Sequence, residues 1–263
     1  MLKNRNSGMV QEQSHVLGVS EVARNTYVLS FHSSLIARSV LAGQFVNIAV
    51  TGDCDPLLRR PFSIYRTHGD TCEIIFNVVG KGTLALRKKT SSDFVNVLGP
   101  LGTPFSLDSD GFTTAVLIGG GLGVAPLPVS TLALKKNSKQ IVTILGARSS
   151  EYLVEQHLEE VHVSTDDGTK GMQGTAVDLL SKLWKKHGWK SPKIFACGPT
   201  AMLRALGKFA IENNIPCEVL LEGPMACGFG ICQGCPVELV DGPFRYALMC
   251  KDGPAFDIRH IKL

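Results

Sequence analysis

Four cysteines crowd into the last 37 residues, and no other feature of the chain restricts its folding so tightly. Cys227, Cys232 and Cys235 follow the spacing C-x4-C-x2-C, and fourteen further residues lead to Cys250. Four thiolates that serve one centre force the backbone to wrap closely around it. Gly228, Gly230 and Gly234 lie inside that loop, where they allow backbone N–H groups to turn inward and donate to sulfur. The spacing suits a [2Fe–2S] cluster. The alternatives are a zinc site and four free thiols. Zinc sites show two close cysteine pairs of comparable spacing, whereas here one distant cysteine answers three near ones. Cys54, Cys72, Cys197 and Cys217 are dispersed along the rest of the chain. The opening segment MLKNRNSGMV has no apolar run of signal-peptide length. A cytoplasmic protein is therefore expected, with metal or redox cysteines rather than structural disulfides.

Composition removes several function classes. At 263 residues with 44% hydrophobic and 19% charged residues, the chain is an ordinary globular one. The net charge is +4, but the 27 Lys and Arg are scattered and only four Tyr and two Trp accompany them. No nucleic-acid surface is expected. Thr113 to Leu134 carries no charge, yet Gly119, Gly120, Gly121, Gly123, Pro126 and Pro128 would break a spanning helix near its centre. The stretch reads as a buried strand, a glycine loop and a helix start, with no membrane span.

The pattern of elements divides the chain in three. Thr26–Phe31, Gln44–Val50, Cys72–Val79 and Phe94–Leu98 mix β-branched and aromatic residues between turn signals, with one helix near Thr83–Lys89. Residues 1–110 are expected to form an antiparallel β-barrel. From Gly111 strands alternate with helices: Ala115–Ile118, Gln140–Leu145, Lys193–Ala196 and Glu218–Leu221 against Val129–Lys136, Val177–Lys186 and Ala201–Asn213. That alternation predicts a parallel-sheet α/β domain over 111–221. The cysteine module takes 222–263. The fold class is thus multi-domain β plus α/β with a small C-terminal cluster module.

Three loops look built for anions. Arg59-Arg60-Pro61-Phe62-Ser63-Ile64 lies between two β segments, where arginine can pair with pyrophosphate and serine can reach a flavin edge. Gly80-Lys81-Gly82-Thr83 opens a helix and presents free N–H groups. Alone, each is equally a rigid turn or a helix cap; about twenty residues apart in one β-rich domain, they support each other. Gly119 to Pro126 follows an apolar strand and opens a helix, as a dinucleotide loop does, although it is not G-x-G-x-x-G. Cys197-Gly198-Pro199 ends another apolar strand at the edge where open α/β sheets bind ligands, and Cys197 reads equally as a small buried hydrophobe. Asp166-Asp167-Gly168 reads as a turn, which could touch the nucleotide, rather than a paired-carboxylate site, Lys135-Lys136 and Lys185-Lys186 read as solvated helix faces, and the seven histidines show no ligand spacing. Arg148-Ser149-Ser150 could accept a 2′-phosphate.

RPFS, GKGT, GGGLGVAPL, CGPTAML and C-x4-C-x2-C…C-x-D-G-P-x-F occur here in the order found in ferredoxin–NADP⁺ reductase-like electron-transfer subunits. The whole chain resembles in particular the FAD- and [2Fe–2S]-containing electron-transfer subunits of class-B dihydroorotate dehydrogenases. The resemblance implies FAD on the barrel, held by Arg60, Pro61, Phe62 and Ser63, by Ile75, Phe76 and Asn77, and by Gly82 and Thr83 at the pyrophosphate. Similar proteins carry arginine where Asn77 stands. It implies NAD(H), as an exchangeable substrate, across Gly120, Gly121 and Gly123 and along Cys197, Gly198 and Pro199, with Cys197 in a catalytic role. Cys227, Cys232, Cys235 and Cys250 carry over as the cluster ligands. It further implies a catalytic dehydrogenase partner, in a heterotetramer of two of each subunit, that oxidises dihydroorotate on FMN in pyrimidine biosynthesis. Related subunits serve sulfhydrogenases and NADH–ferredoxin:NADP⁺ transhydrogenases, some of which place aspartate at the position of Cys227. A non-catalytic iron–sulfur sensor is the reading from another class, and the intact RPFS and GKGT segments count against it.

Overall fold

The computed structural model describes residues 8–50 and 55–263. Cys54 and the start of the MLKNRNSGMV segment lie outside the described residues. The N-terminal part runs through β1 (Val10–Ala23), β2 (Thr26–His32), α1 (Ser34–Ser39), β3 (Phe45–Ala49), β4 (Arg60–His68), β5 (Thr71–Asn77), α2 (Lys81–Arg87) and β6 (Phe94–Leu101). Its strands close an antiparallel barrel in the order β1-β2-β5-β4-β3-β6. Period-two alternation fills it: Val46 and Ile48 point inward with Leu29, Phe31, Ile64 and Ile74, all fully buried. Neither β1 nor α1 stands out in the sequence, and Arg60–Ile64, expected between two β segments, is itself the start of β4, paired with β3. In β1 only Ser14 and Val16 are fully covered, so its apolar rhythm is faint.

The second part contains β7 (Thr114–Gly120), α3 (Leu127–Lys136), β8 (Gln140–Ala147), β9 (Val161–Thr165), β10 (Met172–Gln173), α4 (Ala176–His187), β11 (Pro192–Cys197), α5 (Thr200–Glu212) and β12 (Cys217–Leu220). The cysteine segment then forms the hairpin β13 (Pro236–Glu238) and β14 (Tyr246–Leu248), followed by β15 (Ala255–Asp257). The sheet order is β10-β9-β8-β7-β11-β12-β15. All its pairings are parallel except the last, where β15 returns antiparallel to β12. The end of the 222–263 segment thus completes the sheet of the α/β unit. The uncharged run at Thr113–Leu134 resolves into β7, buried along its whole length, a one-turn glycine loop, and α3 with Pro128 in its first turn. No helix among the described residues is long and apolar enough to cross a membrane.

The units share their cores. Phe195 on β11 lies between Phe105 and Phe112 of the connecting segment, with ring centroids 5.3 and 5.4 Å away. Tyr65 and Ile75 of the barrel join the same cluster. On the barrel's other flank Phe45, Leu98 and Leu101 pack with Cys235, Met249 and Cys250, so the module sits on the outer face of β3 and β6.

Helix α4 begins in a reciprocal capping box. Thr175 Oγ1 accepts from Asp178 N at 3.1 Å, and Asp178 Oδ2 accepts from Thr175 N at 3.0 Å. Thr175→Ala is expected to lower stability by about 1 kcal/mol in a urea titration. The hydroxyl and N–H of Thr175 hold the Asp178 carboxyl below the ordinary carboxylate range. A depressed folded-state value means that this contribution is complete above the unfolded value and disappears as pH falls through the folded one. The difference between variant and wild type should therefore shrink in acid; a gap that widens there would refute the box.

Candidate functional site

Two cavities lie side by side where barrel, sheet and module meet. The first, about 410 Å³, is walled by Arg60, Pro61, Phe62 and Ser63 of β4 and by Ile75, Phe76 and Asn77 of β5. Thr83 on α2 and Glu222, Gly223, Met225 and Pro254 of the module complete it. RPFS and GKGT, apart in sequence, become neighbours: a Cβ on Gly82 would lie 3.4 Å from Arg60 Nε. Arg60 is braced by donating from Nη1 to the Leu58 carbonyl at 2.7 Å. Gly82 is buried and lines neither cavity, but the Arg60 guanidinium beside Thr83 at a helix start fits a pyrophosphate, and the apolar walls fit an isoalloxazine ring. The residues present therefore suit FAD. Thr83 Oγ1 accepts from Val79 N and Gly80 N and donates to the Gly80 carbonyl, so the hydroxyl shapes the loop. Asn77 does less than an arginine would: its Nδ2 donates to the Asn25 carbonyl and to Thr26 Oγ1, both at 2.8 Å, so both N–H bonds brace the β1–β2 turn.

The second cavity, about 620 Å³, opens at the carboxyl edge of the sheet. Gly120, Gly121 and Pro199 line it, as do Arg24, Arg148, Tyr152 and Asp166. Gly121 has φ +54 with open space around it. Gly120 is a packing glycine as well, and Gly198, which lines neither cavity, is a packing glycine alone: a Cβ on either would fall 2.6 Å from the Met202 side chain. Gly123 is placed differently from the expectation. It does not line the cavity, and a Cβ there would lie 2.0 Å from the Cys197 carbonyl. It brings the glycine loop onto the end of β11. Arg24 closes the outer rim: its N–H donates to the Glu151 carbonyl at 2.9 Å and its Nη1 pairs with Glu151 Oε1 at 2.5 Å. Sequence reading missed Arg24 and Tyr152, which no motif marks; only the folding of the β1–β2 turn against 150–152 brings them here.

Cys197, expected to act at the nicotinamide, is fully buried and lines neither cavity. Its Sγ donates to Glu222 Oε1 at 3.6 Å, and burial together with that carboxylate holds the thiol well above its ordinary range. Glu222, another residue the sequence did not single out, is the one that reaches the flavin cavity. Protein on its inner sides raises its carboxyl above the ordinary range, with the Cys197 thiol acting against this. The pair can hold a proton at the wall of the flavin cavity.

The cysteine loop occupies the third corner. Gly228 and Gly230 adopt φ of +80 and +90, turning the loop as anticipated. Cys232 N donates to Cys227 Sγ at 3.5 Å, Gly234 N to Cys232 Sγ at 3.4 Å and Cys250 N to Cys235 Sγ at 3.4 Å. Cys235 and Cys250 are buried with their sulfurs 3.2 Å apart, whereas Cys232 is exposed. Among the described residues no three such side chains are drawn into one metal-binding group. The four thiols stand as two adjoining pairs. Burial tends to raise the Cys227 thiol, but N–H groups of Cys232, Phe229 and Ile231 and the Cys232 thiol outweigh it and hold it at about 6. Burial, then Cys235, pushes Cys250 up to about 12. An all-sulfur donor set with N–H groups aimed at it fits an iron–sulfur cluster.

Comparison with known proteins agrees with this geometry. Residues 222–262 match the iron-sulfur cluster binding domain of dihydroorotate dehydrogenase B. The chain is 38% identical over 252 residues to a dihydroorotate dehydrogenase B (NAD(+)) electron transfer subunit from Desulforamulus reducens, covering 92% of this chain and 94% of the relative. It is 36% identical to the subunit of the same name from Bacillus caldolyticus, covering 94% and 96%. A solved chain of an NADH-dependent reduced ferredoxin-NADP oxidoreductase, described in connection with flavin-based electron bifurcation, superposes with TM-score 0.84 at 28% identity, covering 95% and 90%. With identity of this order along nearly its full length, the chain belongs to the family of dihydroorotate dehydrogenase B electron transfer subunits.

Proposed function

We propose that this protein carries electrons between NAD(H) and a catalytic partner subunit that oxidises dihydroorotate, using FAD and a [2Fe–2S] cluster, in pyrimidine biosynthesis. One observation carries the reading. Asn77, Val79 and Leu122 line both cavities, and the flavin cavity is closed on its far side by Glu222, Gly223, Met225 and Pro254 of the cysteine module. The nucleotide and flavin cavities thus share a wall, and the segment that carries the four cysteines supplies part of the flavin cavity's lining. Flavin, when bound, exchanges hydride with a nicotinamide and single electrons with a cluster.

The chain's own residues bind and exclude. Arg60 and the Gly80–Thr83 loop take the pyrophosphate, while Phe62, Ile75 and Phe76 exclude water from the ring. Gly120, Gly121 and Pro199 shape the nucleotide bed, and the Cys197–Glu222 pair holds a proton at the wall of the flavin cavity. Cys227, Cys232, Cys235 and Cys250 hold the cluster. The described residues contain nothing that marks a dihydroorotate site, which belongs on the partner, and assembly as a heterotetramer of two of each subunit follows the family pattern.

An anaerobic NADH titration of the purified chain, followed in the visible range, tests this. Flavin and iron–sulfur bands should bleach together, the two electrons of the flavin and the single electron of the cluster requiring about one and a half NADH per chain. Bleaching by NADPH alone would point to a transhydrogenase-like role. A protein that stays colourless after reconstitution with iron, sulfide and FAD would leave only the fold.

A further inference from the structure

One buried amide ties the barrel to the cysteine loop. Asn47 lies on the outward-facing side of β3, between Val46 and Ile48 that fill the barrel, and is 1% exposed. Its Nδ2 donates to the carbonyl of Cys227 at 3.0 Å, across 180 residues of sequence. The next residue, Gly228, has φ +80, and a Cβ there would fall 2.0 Å from Asn47 Nδ2. The amide therefore occupies the room that any other residue at 228 would need. Its own main chain is held as well. Pro61, the register partner of Asn47 on β4, has no N–H to offer, and the Asn47 carbonyl accepts from Arg59 Nη1 at 3.4 Å. Arg59 Nη1 also donates to the Asn96 carbonyl at 2.9 Å.

The amide is retained at a cost. Asn47 Oδ1 is buried with no hydrogen-bond partner among the described residues. Leaving such an acceptor unpaired is unfavourable, and an apolar side chain of equal size would avoid it. Nδ2 is the part of this side chain that makes a contact, and the contact is with the first cysteine of the loop.

We infer that Asn47 is a positioning residue for the cluster, an assignment that rests on the reading of the four cysteines as its ligands. By holding the Cys227 carbonyl it fixes the peptide plane from which the loop turns, and so directs the N–H groups of Phe229, Ile231 and Cys232 at Cys227 Sγ. Because Asn47 faces Pro61 in the flavin-binding strand, the same contact sets the cluster loop against the flavin site. Removing the amide frees the turn and leaves Cys227 with fewer N–H donors, which stabilises the oxidised cluster and lowers its potential.

The experiment compares wild type, Asn47→Leu and Asn47→Ala, each purified anaerobically. Iron and sulfide content, visible circular dichroism, cluster loss to an iron chelator, and separate flavin and cluster midpoints are measured. In both variants FAD content and flavin midpoint should match wild type. Cluster loss should accelerate roughly tenfold, as when other outer-shell ligand partners are removed, and the cluster midpoint should fall. Two variants whose chelation rate, dichroism and cluster midpoint equal those of wild type overturn the inference. Variants that lose FAD together with the cluster overturn it too, because Asn47 then supports the barrel as a whole. A wild-type chain that takes up no iron and sulfide overturns the reading of the cysteines and this assignment with it.

Discussion

Cys232→Ser is expected to leave a folded, FAD-loaded protein that reduces its flavin with NADH at the wild-type rate and passes no electrons to the dihydroorotate-oxidising partner. Cys232 is exposed, in contrast to buried Cys235 and Cys250, so its replacement removes little packing. What it removes is one thiolate of four. Serine keeps the shape of the side chain but ionises far less readily and is a harder ligand than iron–sulfur chemistry favours. Iron and sulfide content should drop to background, and partner-dependent turnover with it. The NADH–flavin half-reaction depends on the two cavities at the sheet edge, which Cys232 does not line, and should be unchanged. Normal partner-dependent turnover in this variant would remove the cluster from the electron path. Parallel loss of the NADH half-reaction would show that the loop supports the flavin site structurally.

Gly123→Ala should be the most damaging single-methyl substitution in the glycine loop. The added Cβ would stand 2.0 Å from the Cys197 carbonyl and 2.7 Å from Gly198 N, and both are backbone atoms that no rotamer change can move. Overpacking of that kind is expected to cost about 3 kcal/mol, read as a fall in the urea midpoint. Gly121→Ala meets no neighbour within 4 Å, and its penalty comes only from the left-handed φ of +54. That costs about 1 kcal/mol. Its larger effect should be on NADH binding, since Gly121 lines the nucleotide cavity and Gly123 does not. Equal midpoints for the two variants would contradict this division of labour between residues that one sequence motif treats alike.

Much of this architecture is written locally. The strand–helix alternation after Gly111 is visible because each parallel strand is a short, uniformly apolar run, and β7 is buried at every position. The cysteine loop is visible because ligand spacing and turn-forming glycines must be close in sequence to wrap a small inorganic core. RPFS and GKGT are visible because each is a short contiguous motif, although RPFS forms the start of strand β4 and only GKGT opens a helix. β1 escaped because it is a half-exposed strand with weak alternation, and α1 because six residues leave little periodic signal.

The sequence by itself determined the fold class, the cysteine spacing and the RPFS and GKGT motifs, since short-range spacing decides which backbone N–H groups and thiols can converge. Only the tertiary structure decided what those motifs are joined to. It placed Glu222 at the flavin cavity with Cys197 buried behind it, committed Asn77 to the β1–β2 turn, and packed Gly123 against the end of β11. It also set Asn47 on Cys227 across 180 residues. Such contacts depend on how barrel, sheet and module pack, and close packing selects partners by volume and hydrogen-bond direction, which no local pattern of residues encodes.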